Sequence, residues 1–64
     1  MKYLVAAPGT SPDDARALAV ANGCAGYYLD MPPVWQAQAS EEGWTLPCAV
    51  TLSDEGTVAN WTPV

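Results

Sequence analysis

The sequence predicts one small α/β domain spanning residues 1–64, with elements in the order β-α-β-α-β-β. Three observations carry this expectation. An apolar run, KYLVAA at 2–7, stops at Pro8-Gly9. A dense set of helix-start signals follows at residues 11–14. Two β-branched or alternating runs, LPCAVTL and TVANW, are joined by Ser53-Asp54-Glu55-Gly56. Half of the 64 residues are apolar and 14% are charged, as in a globular rather than a disordered chain. A chain this short buries only about 60% of its unfolded surface, so its few large side chains matter greatly.

The first strand, 2–7, mixes β-branched and aromatic residues and ends at a turn dipeptide. In SPDDARALAVANG, Ser11 is a good N-cap, Pro12 fits the first helical position, and Asp13 and Asp14 suit the positive end of the dipole. Asn22-Gly23 supplies the stop. This helix is apolar nearly all round apart from Arg16, so it is expected to pack closely through its alanines. CAGYYLDM predicts a strand with Tyr27, Leu29 and Met31 on one face and Tyr28 and Asp30 on the other. Pro32-Pro33 ends that strand and opens a second, poorly amphipathic helix, PVWQAQASEE, which Gly43 stops. The last two runs form a hairpin over 46–62, since a four-residue loop ending in Gly suits a type I turn.

Composition excludes several function classes. The net charge is −5, with Lys2 and Arg16 the only cationic side chains. A nucleic-acid or anionic membrane surface needs clustered Lys and Arg, so neither is an expected partner. Histidine is absent, which removes the usual general base at neutral pH and the commonest zinc ligand. Cys24 and Cys48 form no CxxC and no disulfide framework. No stretch approaches the roughly 20 apolar residues of a membrane span, and MKYLVAAPG is too short for a secretory core. A cytoplasmic protein with reduced thiols is expected.

The element order and EEGWTLPCAVTLSDEGTVANWTP together resemble small glutaredoxins of the thioredoxin-like family. Those proteins have a helix end, a Gly, an aromatic, a Pro opening an apolar strand, a turn, and a short strand ending near an aromatic. The resemblance implies a minimal thioredoxin-like fold with a four-stranded mixed sheet and two helices. It also implies a cis Leu46–Pro47 bond beside the redox loop. The family's exchange chemistry needs a CxxC between the first strand and first helix, where the helix N-terminus lowers a thiol pKa. Matching Pro8 to the family's Pro puts Thr10 and Asp13 on the two Cys positions, and neither can exchange a disulfide. No catalytic residue and no cofactor is therefore expected.

Other chemistry reads blandly. Gly9, Thr10 and Ser11 precede a helix N-terminus, but GxxxxGK[ST] is missing and Asp13 and Asp14 already oppose an anion. Asp13-Asp14 and Glu41-Glu42 diverge by about 100° within each pair, as solvated faces do, so no metal is expected. Cys24 follows a helix C-terminus, which disfavours a thiolate, and Cys48 reads as a small buried residue.

The function expected is a catalytically inactive protein-binding module, suited to a small acidic adaptor or inhibitor of a host protein such as phages and mobile elements encode. Two alternatives stand beside it: a thiol-dependent redox protein using Cys48 or Cys24, and a structural subunit of a symmetric homo-oligomer. Without the family's last helix, the hairpin is expected to show an apolar face to solvent, and its last strand to be an unprotected edge. Trp61, with Val58 or Ala59 and with Val50 and Leu52, is thus the expected contact surface for a protein partner or a homodimer. The loop from Thr10 to Asp13, with Leu46 and Pro47, is the second candidate surface.

Overall fold

A computed structural model describes residues 1–64. Its elements are β1 (Lys2–Val5), α1 (Pro12–Ala21), β2 (Gly26–Tyr28), α2 (Pro33–Glu42), β3 (Cys48–Leu52) and β4 (Val58–Pro63). The four strands form one mixed sheet in the order β2-β1-β3-β4. β1 and β2 run parallel, and β1–β3 and β3–β4 are antiparallel. The two helices lie on opposite faces, because neighbouring residues of β1 point opposite ways. Leu4 and Ala6 meet Ala15 and Ala19 of α1 on one face. Val5, Cys48, Val50 and Val58 meet Trp35 of α2 on the other.

Local chemistry sets both helix ends. Ser11 has extended dihedrals and its Oγ accepts from the Asp14 N–H at 3.2 Å, with Pro12 at the first helical position. At the other end, Gly23 takes φ +68°, and the Cys24 N–H reaches back to the Ala19 carbonyl at 2.8 Å. This is the six-to-one bond of a Schellman stop. Lys2 Nζ donates to the Asn22 carbonyl at 3.0 Å, so β1 supplies the cation that the last turn of α1 lacks. Helix α1 seats on the sheet through Ala15 and Ala19, as its small residues predict.

Helix α2 is built differently. It starts at Pro33 without a side-chain cap and stops at Gly43, φ +70°, where the Trp44 N–H donates to the Ala39 carbonyl. Its bounds match those expected from the sequence. Trp35 is its one buried residue, while Val34 is 81% exposed. The Trp35 ring stands edge-on to Tyr28 with centroids 5.1 Å apart, and Tyr28 meets Tyr3 in the same way at 5.7 Å. A single large anchor replaces the apolar stripe of an ordinary amphipathic helix.

The strands differ from expectation at their ends. β1 stops at Val5 rather than at residue 7. β2 is only three residues long, so the alternation expected over 24–31 breaks after Tyr28. Tyr27 packs against the α1 cluster, Met31 joins Tyr28 in the α2 cluster, and Leu29 is exposed. β3 begins at Cys48, after a cis Leu46–Pro47 peptide of the kind the resemblance implies. The hairpin turns through Ser53–Gly56, with the Gly56 N–H donating to the Ser53 carbonyl at 2.9 Å and Gly56 at φ +84°. β4 then runs on to Pro63, two residues beyond Trp61.

One expectation is overturned. The hairpin does not show an apolar face to solvent. Its register places Cys48, Val50, Val58 and Trp61 on the α2 face, where Trp35 covers them. On the face α1 leaves open lie Thr51, Asn60 and Thr62, all exposed and all polar, with buried Ala49 among them. The alternation was legible, but which side the second helix would cover depends on the long-range path of α2.

Candidate interaction surface

The loop between β1 and α1 closes on itself. Thr10 donates to the Ala7 carbonyl through both its hydroxyl, at 2.7 Å, and its N–H, at 3.2 Å. Ser11 is committed to the helix cap, and Asp13 points into solvent. The pairing of Val5 with Cys48 brings half-buried Leu46 and Pro47 to the same end of the sheet as this loop. The second candidate surface is therefore assembled at one end of the fold, but no thiol lies in its loop.

The two cysteines are separated by the sheet. Cys48 is 0% exposed within the α2 cluster, and burial pushes its thiol pKa up. A thiol held protonated in apolar surroundings is a poor nucleophile. Cys24 is half-buried against the α1 cluster at the far end of that helix, its Sγ 3.9 Å from the Asn22 carbonyl. Both are free.

The first candidate surface divides. Val50 and Val58 are core residues, buried beneath α2, and so cannot be touched by a partner. Leu52 is half-buried against the same cluster. Ala59 and Trp61 remain accessible, and Ala59 is the extra residue of a β-bulge between the Thr51–Asn60 and Leu52–Val58 pairs. Trp61 is half-buried and lies against Trp44, with ring centroids 6.1 Å apart and planes tilted by 32°.

A hydrogen-bonded clamp fixes the Trp44 indole of this pair, and sequence reasoning missed it. Trp44 Nε1 donates to Glu42 Oε1 at 3.0 Å, and Gln38 Nε2 donates to Glu42 Oε2 at 3.1 Å. Gln38 also reaches the Val58 carbonyl on β4 at 3.2 Å. The Trp44 and Gln38 donors favour the carboxylate and hold Glu42 below its usual pKa. The Gln38–Glu42 spacing of a helical i,i+4 pair was the signal available. The carbonyl partner on β4 had none.

No pocket opens in the surface, and no group of three His, Cys, Asp or Glu side chains comes together as a metal site. Every buried side-chain polar atom has a partner. No helix is long and apolar enough to cross a membrane. What the arrangement offers chemically is an accessible strand edge beside two indoles in contact. No family model, curated protein or solved structure matches this chain.

Proposed function

We propose that this chain is a minimal thioredoxin-like module of the glutaredoxin kind that binds a protein through β4 and performs no thiol–disulfide exchange. The observation that carries the reading is the state of its thiols. Exchange chemistry needs an accessible thiol of lowered pKa, best placed at a helix N-terminus. Here that position holds Thr10 to Asp13, and the nearest cysteine, Cys48, is buried with its pKa raised. The β-α-β-α-β-β order and the helices on opposite faces support the thioredoxin-like assignment.

Binding falls to β4 because it is an edge strand with free backbone groups that carries Trp61, with Trp44 packed beside it. Edge strands accept an added strand, and half-buried Trp is enriched at contact hot spots. Such a module serves as an adaptor or an inhibitor. The test is capture of partner protein by the wild-type chain and by Asn60→Lys/Thr62→Lys, two exposed β4 positions. Loss of capture with an unchanged circular dichroism spectrum supports the reading. Full capture by the folded variant moves the contact surface to the loop at Thr10–Asp13 with Leu46 and Pro47.

A further inference from the structure

The β3–β4 ladder has a fixed phase. The Val64 N–H donates to the Pro47 carbonyl at 3.1 Å, so Val64 turns its backbone groups toward β3. Antiparallel ladders alternate, so Thr62 and Asn60 also turn inward, and Trp61 and Pro63 turn outward. Gln38 already occupies the Val58 carbonyl. What stays open along the edge is the N–H and C=O of Trp61 and the C=O of Pro63, the bonding surface for a short added strand.

Charge around this edge is one-sided. Lys2 donates to the Asn22 carbonyl at the end of α1, and Arg16 is a residue of α1, so both cationic side chains lie on the α1 side of the sheet. Helix α2 carries Glu41 and Glu42 and no cation. Glu42 accepts from Trp44 and from the same Gln38 nitrogen that holds the Val58 carbonyl, so its carboxylate sits alongside β4. The lowered pKa keeps it ionised at neutral pH. Glu41 follows Gln38 by three residues and shares its side of the helix. Asp54 and Glu55 stand in the turn that leads into β4. The N-terminal ammonium, on the Leu52 carbonyl at 3.2 Å, offsets only one of these carboxylates.

We propose that the β4 edge takes an extended basic segment of another protein, which pairs with the Trp61 backbone and sets a Lys or Arg side chain over the indoles beside Glu42. This deepens, and rests on, the reading of β4 as the contact strand. Residues directly opposite in a ladder share a face, so the partner residue facing Trp61 points its side chain to the α2 face. There it meets the Trp61 and Trp44 rings, 6.1 Å apart, and the Glu42 carboxylate. A cation is drawn to an indole face. Each Glu42 oxygen keeps a second lone pair for a charge-assisted hydrogen bond. The next residue on that face is two positions along, so the segment carries Lys or Arg at alternate positions. A second copy of this chain does not fit: its β4 has no cation, and it would bring a second set of carboxylates to the edge.

The test titrates the wild-type chain with a Thr-Lys repeat peptide and with its Thr-Glu counterpart, and follows the Trp61 amide by hydrogen exchange. The Thr-Lys peptide should bind and slow exchange at Trp61; the Thr-Glu peptide should do neither. Glu41→Gln/Glu42→Gln should raise the dissociation constant by about tenfold, the size expected of two exposed charge contacts. Asp14→Asn/Asp30→Asn removes as much charge away from β4 and should change it by less than about twofold. Circular dichroism is the folding control for both variants. Equal loss in the two variants, or binding without protection of Trp61, overturns the proposal, because the peptide is then held by net charge alone. Protection of Trp61 by both peptides alike, or by self-association of the peptide-free chain, overturns the basic occupant and leaves β4 as the contact strand. Binding of neither peptide also overturns the basic occupant, while partner capture by Asn60→Lys/Thr62→Lys judges β4 separately.

Discussion

Replacing Trp35 with Ala tests how the second helix is held. Trp35 is 7% exposed, packs edge-on against Tyr28 at 5.1 Å, and is the one buried residue of α2. Truncating a buried Trp to Ala costs about 3–5 kcal/mol, from lost burial and the cavity left behind. A domain of this size has a total stability of about 3–10 kcal/mol, at roughly 0.05–0.15 kcal/mol per residue. The loss is thus comparable with the whole. Either α2 detaches and exposes Val50 and Val58, or the domain unfolds. Urea unfolding followed by circular dichroism measures the loss, and amide exchange shows whether α2 opens before α1. Val34→Ala, at a position 81% exposed on the same helix, is the control and should change stability by less than about 0.5 kcal/mol. A Trp35→Ala loss below about 1 kcal/mol, with α2 amides still protected, would refute the single-anchor argument.

Ser11→Ala removes the side-chain cap of α1 and should cost about 1 kcal/mol, measured by chemical denaturation; Ser11→Gly should cost only a few tenths. Glu42 has its folded pKa lowered by Trp44 and Gln38, so its contribution to stability is present above the usual carboxylate range and lost as pH falls through the lowered value. Glu42→Gln should flatten that acid limb of the stability–pH curve, and an unchanged limb would assign it to other carboxylates. Aromatic thiol reagents at neutral pH should modify Cys24 in the folded chain and Cys48 only after denaturation, since Cys48 is buried with its pKa raised. Fast modification of Cys48 in the native protein would contradict its burial.

Local signals made the helices legible. Ser11, Pro12 and Asn22-Gly23 marked α1, and Pro33 and Gly43 marked α2, because caps and breakers act within a few residues. The absence of an amphipathic stripe in α2 was visible too, but not that Trp35 alone would anchor it. The hairpin turn was legible from Ser53 to Gly56. The alternation in β3 and β4 showed which residues share a face, and not that α2 would cover Val50 and Val58. The expected surface consequently contained two core residues. Glu42 reads in the sequence as part of a solvated face, and the clamp it forms with Gln38 and Trp44 was not foreseen, because Gln38 also closes on the Val58 carbonyl, twenty residues away along the chain. Contacts of that range leave no local pattern to read.

The most direct test of a module without thiol chemistry is turnover in a disulfide-reduction assay coupled to glutathione or to thioredoxin reductase. With Thr10 and Asp13 where the resemblance places the reactive pair, the wild-type chain should give no turnover above buffer. Cys24→Ser and Cys48→Ala should be indistinguishable from it. Sustained turnover that Cys48→Ala abolishes while the chain stays folded would show an active thiol, and the reading of this domain as a binding module without exchange chemistry would be wrong.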